Sequence, residues 1–581
     1  MNFIKELRLS INFSQIAFAD LLGVSVASLR RWEAGDTNPS QLASERINHV
    51  KAYIEKGNLE QLFNERKEKM IDTIKEAPYR DFTFNGENHK IQYMPYVFNG
   101  PKDQIDFYNH LISMQEKKIC NQTWEQYSRK LSIVQKADNI STEQYLLEHP
   151  KENAKSWSAD SGAHGWHRYV GRFPAQLVRA ICNFFDLSEN DLLLDPFCGS
   201  GTTLVEARLL GIPALGIEIS PLSAMISRVK SGFDVDTSNI EKHITSLGKF
   251  YQEKYEGFLN GKDIHKYTYE EIIARDGNSI TSFSNYDKWF TKEALLGVSI
   301  VVEYILKVKN NKYISELIAT ALSAKMRSIG NVDVDVVRAE YRKTPRENVD
   351  VLKLVISHLR KMIRSIKEMN VSHNSTIKNA DTINVIESSC LSADIADNSI
   401  SAVITSPPYG VESLSYLRTH LLSFRALEPL LGVDPYNFSQ DVIGSEYLLE
   451  AHFDINTLKV IKKSPECARF FTKLLSKEEI KGTRNRALMM LKFFEDMDNL
   501  VIKFSHWLKV GGKVAFVIGN KKISDSIIPT DKIITEIFEA NGFTYISEIA
   551  HKLKTNNSNS KVPWQDRIIE NEFVIFYEKR M

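Results

Sequence analysis

Asp195-Pro-Phe-Cys-Gly-Ser-Gly-Thr-Thr203 is the stretch that decides the fold of this chain of 581 residues. It follows a short apolar run at 192–194 and precedes a helical pattern at 204–210, which is the order strand, glycine turn, helix. Glycines let the backbone turn sharply and approach a ligand closely where the helix begins. The stretch therefore predicts an α/β fold with a Rossmann-like sheet.

A carboxylate follows the next predicted strand. Ile217 and Glu218 end a second apolar run, at the position where a carboxylate accepts hydrogen bonds from ribose hydroxyls. The glycine turn and Glu218 together predict half of a nucleoside-cofactor site.

A second motif, Thr405-Ser-Pro-Pro-Tyr409, lies much further along the chain, at the end of another predicted strand. Its two consecutive prolines each restrict φ, so the carbonyl of the first is held rigidly.

The two motifs resemble motifs I and IV of the DNA amino-methyltransferases, which transfer a methyl group from S-adenosylmethionine to an exocyclic base nitrogen. The resemblance covers about residues 157–233 and 384–579. It implies a Rossmann-like methyltransferase domain, S-adenosylmethionine as cofactor and double-stranded DNA as partner. The cofactor-binding residues that it implies are Phe173, Pro174, Asp195, Phe197, Cys198, Gly199, Ser200, Gly201, Thr202, Thr203, Glu218 and Ile219.

Phe173 and Pro174 belong to a segment, 165–179, that resembles the motif preceding motif I. There the resemblance implies packing beside the cofactor. A plain helix start with Pro174 near its first turn is the alternative.

The catalytic residues that the resemblance implies are Ser406, Pro407, Pro408 and Tyr409. An exocyclic amine is a poor nucleophile because its lone pair is delocalised into the ring, so acceptors on its N–H bonds must stabilise the developing charge. In the resembling family the serine side chain and the next carbonyl are these acceptors, and the tyrosine stacks on the base. The target nucleotide must be flipped out of the duplex, and transfer is a direct displacement without a covalent enzyme intermediate.

The serine that opens the second motif favours cytosine N4 as the methylated atom, since aspartate is the common form in adenine enzymes. Methylation of adenine N6 stays open. Methylation of cytosine at ring carbon five requires a thiolate from a Pro-Cys dipeptide, and no proline directly precedes a cysteine here. We therefore interpret Cys198 and Cys390 as packing residues.

The contact to the adenine of the cofactor is left open. Many members of the family place an acidic residue ahead of motif IV, and the aligned position here is Ser389, with Glu387 or Asp394 as substitutes. The order of the motifs is also unusual for cytosine-N4 enzymes, many of which run motif IV before motif I.

The first fifty residues contain a third pattern. Ser14-Gln-Ile-Ala-Phe-Ala-Asp-Leu-Leu22 predicts a helix, Gly23-Val24 a turn, and 25–33 a second helix capped by Ser25. Predicted core residues are Ala17, Leu21, Leu29 and Trp32. This pattern resembles the phage-repressor type of helix-turn-helix, which implies an all-α DNA-binding domain and a possible homodimer through it. Its DNA-binding residues would be Ser25, Val26, Ala27, Ser28, Arg30 and Arg31. A helical domain that binds protein is the alternative.

The chain is long enough for several domains. The predicted divisions are a helix-turn-helix domain at 1–55, a linker or small mixed domain at 56–155, the cofactor half of the methyltransferase core at 156–232, a helical insertion at 233–384 and the catalytic half at 385–581. The insertion is a candidate for target recognition. Within it, Thr344-Pro-Arg-Glu347 predicts a capping box before a helix with one apolar face, and 292–309 predicts a buried helix.

Composition excludes several classes of protein. An apolar content of 43% and a charged content of 25% are typical of a globular protein, and there is neither a membrane-length apolar run nor a signal-peptide pattern, so we expect a cytoplasmic location without a membrane. Five scattered cysteines without a Cys-x-x-Cys pair predict no metal site.

The sequence disfavours two further functional classes. A transcriptional regulator built on a methyltransferase-like scaffold is disfavoured, because a scaffold has no need of the intact turn at 406–409. A self-contained nuclease is disfavoured because no Pro-Asp dipeptide occurs. We therefore expect a site-specific methyltransferase in a restriction-modification or defence system, with a cognate restriction endonuclease as a possible partner.

Overall fold

The computed structural model describes residues 3–11, 15, 18, 22, 26–39, 41–58, 80–84, 87–91, 162–169, 171, 174–185, 187–232, 236–275, 285–333, 339–342, 344, 346–377, 382–410, 418–434, 437–438, 441–445, 457–476, 483–523, 526–552 and 571–580. The sequence also predicts helical fragments at 59–74 and 124–134, and these lie outside the described residues.

Seven strands of the described chain form one sheet. They are β1 (Leu193–Asp195), β2 (Ala214–Glu218), β3 (Ile383–Glu387), β4 (Ile400–Thr405), β5 (Leu508–Gly519), β6 (Phe543–Lys552) and β7 (Asn571–Lys579). Their order across the sheet is β6-β7-β5-β4-β1-β2-β3. The first five strands pair in parallel, whereas β7 is antiparallel to both β5 and β6. The predicted α/β class is confirmed, and the parallel-dominated sheet fits the predicted Rossmann-like domain.

The helices of the described residues are α1 (Phe3–Ser10), α2 (Val26–Ala34), α3 (Gln41–Glu55), α4 (Ala175–Phe184), α5 (Thr202–Leu210), α6 (Pro221–Ser231), α7 (Thr237–Leu259), α8 (Tyr269–Ala274), α9 (Tyr286–Trp289), α10 (Lys292–Lys307), α11 (Lys312–Ile329), α12 (Val351–Ile377), α13 (Leu421–Leu431), α14 (Lys459–Lys463), α15 (Pro465–Leu475), α16 (Thr483–Trp507) and α17 (Thr530–Ala540). Short 3₁₀ turns occur at Gly162–Trp166 and Ile264–Lys266. Two small antiparallel ribbons pair Arg80–Phe84 with Glu87–Ile91 and Lys522–Ile523 with Ser526–Ile527.

Helices cover both faces of the sheet because its strands are apolar on both sides. Leu193 of β1 packs on one face with α4 and α5, and Leu194 packs on the other face with α16 and α17. The alternation of side chains along a strand explains this division. Both faces of the sheet are therefore buried, and a ligand can approach it only from the strand ends.

The helices of the predicted insertion pack directly on the core. α7, α10, α11 and α12 share one buried apolar cluster with α6 and Trp166. The predicted helix at 292–309 is α10, which is buried over most of its circumference. At its far end the insertion leads into β3, an edge strand of the sheet.

The predicted capping box at 344–347 is wrong. Helix α12 begins at Val351, and the Asp350 carboxylate accepts a hydrogen bond of 2.9 Å from the backbone N–H of Lys353. Arg346 instead donates its backbone N–H to the side chain of Asn331, which holds this segment against the turn after α11. The apolar face of α12 is as predicted, with Leu352 partly buried and the rest buried: Val355, Leu359, Met362, Ile363 and Ile366.

The N-terminal helices have a small core of their own. Buried apolar residues here are Ile4, Leu7, Phe18, Leu22, Leu29, Trp32, Ala43, Ile47 and Val50. An ion pair between Arg8 and Glu33 closes this core, with an N–O distance of 2.6 Å. Leu29 and Trp32 are buried as predicted, whereas Ala17, Leu21 and the turn at 23–25 lie outside the described residues.

Candidate active site

The glycine turn joins β1 to α5 at the carboxyl end of the sheet. Gly201 is the N-cap of α5 and has a φ of 80°, a left-handed value that favours glycine. A Cβ on Gly201 would lie 2.4 Å from Ser227 Oγ of α6. Glycine is therefore required both by the backbone conformation and by the close packing of α6.

Asp195 ends β1 and is buried. Its Oδ1 accepts hydrogen bonds from Thr405 Oγ1 at 2.7 Å and from the backbone N–H of Phe197 at 3.1 Å. Burial raises the pKa of Asp195 to about 6, although these hydrogen bonds favour the ionised form. Asp195 thus joins β1, the glycine turn and β4.

Glu218 ends β2 beside the glycine turn. Its two oxygens accept hydrogen bonds from the backbone N–H groups of Gly199 at 2.9 Å and Ser220 at 2.8 Å. The pKa of Glu218 is raised to about 7. Burial is the main cause and the nearby charge of Asp195 adds to it, while the two hydrogen bonds act in the opposite direction. Each carboxylate oxygen can accept a second hydrogen bond, so Glu218 can still bind hydroxyl groups of a ligand.

One cleft brings the two sequence motifs together. The predicted cofactor residues that line it are Asp195, Phe197, Cys198, Gly199, Ser200, Thr202, Thr203, Glu218 and Ile219. Ser406 and Pro408 line the same cleft. It opens where β1 and β4 lie side by side, the switch point at which α/β sheets bind ligands.

Of the two predicted cofactor residues before β1, the structure describes only Pro174, and it does not lie in the cleft. Pro174 is exposed, and its carbonyl accepts the backbone N–H groups of Leu177 and Val178, so it stands at the start of α4. It is not among the residues that line the cleft. Phe173 lies outside the described residues.

The turn at 406–410 follows β4. The backbone N–H of Gly410 donates to the carbonyl of Pro408 at 2.9 Å, and Gly410 has a φ of 87°. A Cβ there would lie 2.5 Å from Met490 Sδ, so glycine lets the turn pack against α16. Ser406 Oγ donates to Tyr409 Oη at 3.2 Å, and Tyr409 Oη donates to Glu572 Oε1 at 2.6 Å.

Residues that carry no motif complete the cleft. Tyr169 and His420 stack with ring centroids 5.2 Å apart and planes at 20°, and both line the cleft. Burial, together with the charge of Arg327, lowers the pKa of His420 to about 4, which keeps the imidazole neutral at pH 7. Tyr169 lies within the segment 165–179, but nothing in the sequence points to His420.

The stretch after β3 contributes Ser388, Ser389 and Cys390 to the cleft. Glu387, one of the substitutes considered for the adenine contact, is exposed and forms an ion pair with Arg228 at 3.2 Å. Asp394 is also exposed. Hydroxyl groups therefore face this part of the cleft.

The cysteines next to the cleft are unsuited to nucleophilic attack. Burial raises the pKa of Cys390 to about 12 and also raises that of Cys198, whereas a nucleophilic thiol needs a lowered pKa. Cys182 and Cys467 are likewise free and buried, and Cys120 lies outside the described residues. In the part of the chain that the structure describes, no group of side chains is arranged to hold a metal ion.

The predicted DNA-binding residues lie on or near α2. Arg30 and Arg31 are exposed and Ser28 is partly buried. Arg30 Nε donates to Gln15 Oε1 at 3.2 Å. Ser25 lies outside the described residues, and for Val26 and Ala27 only the helical backbone is described. Among the described helices, none is long and apolar enough to span a bilayer.

Comparison with known proteins gives the class. A family model described as "DNA methylase", N6_N4_Mtase, matches residues 23–227. Together with the relatives below, this match supports a DNA amino-methyltransferase, a class whose methyl donor is S-adenosylmethionine.

Three individual proteins are similar over most of the chain. The type II methyltransferase M.BsoBI of Geobacillus stearothermophilus is 27% identical over 447 residues, which are 72% of this chain and 85% of that protein. M.MvaI of Kocuria varians is 23% identical over 68% of this chain and 86% of that protein. M.MjaII of Methanocaldococcus jannaschii is 21% identical over 70% of this chain and 79% of that protein.

The cleft fits S-adenosylmethionine chemically. Glu218 keeps acceptor capacity for ribose hydroxyls, and the carboxylates of Glu218 and Asp195 complement a cationic sulfonium. Gly199 and Ser200 of the glycine turn line the cleft. These residues, with those after β3, would hold the cofactor.

Proposed function

We propose that this protein transfers a methyl group from S-adenosylmethionine to the N4 amine of cytosine at a specific site in double-stranded DNA. One observation carries the proposal: Ser406 lines the same cleft as Glu218 and the glycine turn. An amine held at Ser406 is then next to the place where the cofactor binds, which is what a direct displacement requires.

The turn at 406–409, called the amine-binding turn in this proposal, would supply the hydrogen-bond acceptors. Ser406 Oγ and the carbonyl of Pro407 would accept the two N–H groups of the target amine and stabilise the charge that develops on nitrogen. Bound S-adenosylmethionine supplies the methyl group as an electrophile. Tyr409 is not among the residues that line the cleft, whereas Tyr169 and His420 are. In this proposal the Tyr409 ring would stack on the flipped base.

Cytosine N4 is favoured over adenine N6 by the serine that opens the turn. Its hydroxyl is a neutral acceptor, in place of the aspartate that is common in the adenine enzymes. N6-adenine methylation is the second candidate, since its target is also an exocyclic amine and the same two acceptors can bind it.

The N-terminal helices are proposed to bind DNA as a helix-turn-helix. The exposed Arg30 and Arg31 on α2 support this role, because arginines on a recognition helix contact base edges or phosphates. A repressor-like domain of this type would dimerise on a palindromic operator. Control of the gene's own promoter is favoured over a role in choosing the methylated site.

The wider setting follows from the relatives. Type II methyltransferases are among the similar proteins and cover most of this chain, so a restriction-modification system with a cognate endonuclease is proposed, in the cytoplasm. A regulator with an inactive methyltransferase scaffold is the competing class. The ordered contacts of Ser406 and Tyr409 favour an enzyme, because a scaffold does not need polar groups aligned on an amine site.

The test is expression of the gene in a bacterial host that lacks DNA methyltransferases, followed by single-molecule sequencing of the host DNA. N4-methylcytosine at one short recurring sequence is the expected result, and it should disappear with Ser406→Ala. N6-methyladenine in its place would select the second candidate. Unmodified DNA from soluble protein that binds S-adenosylmethionine would favour the regulator.

A further inference from the structure

A chain of hydrogen bonds leads away from the amine-binding turn to a carboxylate on a distant strand. Ser406 Oγ donates to Tyr409 Oη at 3.2 Å, and Tyr409 Oη donates to Glu572 Oε1 at 2.6 Å. Glu572 is partly buried near the start of β7, where its backbone pairs with Gly519 of β5. No sequence motif includes it.

The direction of these hydrogen bonds decides what Ser406 offers to a substrate. An ionised carboxylate only accepts hydrogen bonds, so the single hydroxyl proton of Tyr409 points to Glu572. The proton of Ser406 is then directed to Tyr409 Oη. As a result, the lone pairs of Ser406 Oγ remain for the cleft, which is the polarity needed to accept an N–H from an amine.

We propose that Glu572 is a positioning residue for methyl transfer, which orients the hydroxyls of Tyr409 and Ser406 and takes up the proton that the target amine loses. This inference rests on the proposed methyl transfer to an exocyclic amine. It extends the site from the turn at 406–409 to the antiparallel strand β7.

The proton movement balances. The amine nitrogen uses its lone pair to bond to the methyl carbon, and the carbon–sulfur bond breaks with its electron pair staying on sulfur. The nitrogen then carries one proton too many. That proton passes to Ser406 Oγ, the Ser406 proton passes to Tyr409 Oη, and the Tyr409 proton passes to Glu572, whose carboxylate becomes a neutral acid.

The surroundings of Glu572 suit an acceptor. Burial raises the pKa of Glu572, whereas the hydrogen bond from Tyr409 lowers it. A carboxylate with a raised pKa binds a proton more strongly than one in water. An alcohol such as Ser406 is by itself too weak a base to keep the proton at neutral pH, so a carboxylate at the end of the chain completes the transfer.

The test compares Tyr409→Phe, Glu572→Gln and the double variant with the wild-type protein. Tyr409→Phe keeps the ring for stacking, and Glu572→Gln keeps the size of the side chain. Glu578→Gln is the matched control, since Glu578 is exposed on the same strand. The measurements are the single-turnover rate of methyl transfer to unmethylated plasmid DNA, the affinities for that DNA and for S-adenosylmethionine, and the thermal unfolding midpoint.

Each single variant is expected to lose about a hundredfold in the transfer rate, with both affinities within about twofold of wild type. The double variant should be no slower than the slower single variant, because both substitutions break one chain. Glu578→Gln should match the wild-type protein.

Several outcomes would overturn the inference. One is a wild-type rate in either single variant, another is a double variant whose loss is the product of the two single losses, and a third is a loss seen only in the affinity for DNA. If Glu572→Gln fails to fold, Tyr409→Phe still decides. A wild-type protein that methylates no DNA amine would refute the proposed function itself, which separates the two failures.

Discussion

Thr405 Oγ1 donates a hydrogen bond of 2.7 Å to Asp195 Oδ1, and both residues are buried. Thr405 ends β4 and Asp195 ends β1, so the contact joins the two strands between which the cleft opens. The glycine turn follows Asp195 directly and the turn at 406–409 follows Thr405. This single hydrogen bond therefore helps to set the distance between the two halves of the site.

Asp195→Asn is expected to remove a pH-dependent cost in stability. Burial raises the pKa of Asp195 from 3.8 to about 6 in the folded protein. Because the pKa is higher in the folded than in the unfolded protein, ionising Asp195 lowers the free energy of unfolding. This loss is absent below about pH 4 and grows as the pH rises. Above about pH 6 it is complete, at about 3 kcal/mol. In urea titrations, the unfolding free energy of the variant minus that of the wild-type protein should increase between pH 4 and pH 7. A difference that stays constant would contradict this.

Glu218→Ala is expected to weaken the binding of S-adenosylmethionine by about 1.5–3 kcal/mol, since it removes a charged acceptor for the ribose. Calorimetric titration would measure the loss. Glu387→Ala is the matched control, because Glu387 ends the neighbouring strand β3 but is exposed and does not line the cleft. Equal affinities of the Glu218 variant and the wild-type protein would rule out Glu218 as the ribose ligand.

The affinity for S-adenosylmethionine should also depend on pH. The pKa of Glu218 is raised to about 7, and ribose hydroxyls donate best to the ionised carboxylate. Binding should therefore be strongest above pH 7 and weaken as the pH falls through 7 toward 6. Glu218→Gln, which cannot ionise, should flatten this dependence. An equally steep dependence in the variant would assign the effect to another group, with Asp195 as the nearest.

Ser406→Ala and Tyr409→Ala are expected to leave cofactor binding nearly intact while removing most methyl transfer. Both side chains belong to the turn at 406–409, and their hydrogen bonds to each other and to Glu572 lead away from Glu218 and the glycine turn. Calorimetry with S-adenosylmethionine and a tritium-transfer assay on DNA would separate the two properties. Transfer at the wild-type rate in both variants would refute the assignment of the turn.

Arg30→Ala combined with Arg31→Ala tests the N-terminal domain. If α2 reads an operator, binding to a fragment of the gene's own promoter should be lost, and its dependence on salt should become weaker, while methylation is unchanged. Gel shifts and methylation assays at matched salt would measure this, with Lys5→Ala on α1 as the control. Reduced or less specific methylation would instead show that the domain helps to select the target. Promoter binding that survives the double substitution would exclude the operator role of these arginines.

Local patterns were predictable wherever the sequence itself imposes them. The order strand, glycine turn, helix at 193–210 is as predicted, because glycine at positive φ and the apolar periods on either side are local properties. The sequence pattern also predicts a helix at 530–540 and a terminal strand at 572–577, and the structure has α17 and β7 there. The start of α12 was not predictable, since Arg346 is held by Asn331 and helix capping by Asp350 replaces the motif at 344–347.

The sequence by itself determined the two turns, the carboxylate that follows β2 and the α/β class, because each depends on residues close together in the chain. Only the tertiary structure decided which distant residues meet. Asp195 contacts Thr405 across 210 positions, Tyr409 contacts Glu572 across 163, and Tyr169 stacks on His420. Such contacts leave no periodic signal in a sequence, since they arise from the order in which the sheet arranges its strands. The sheet places β1 beside β4 and β7 beside β5. As a result, the turn at 406–409 lies between the glycine turn and the Glu572 carboxylate, which no motif contains.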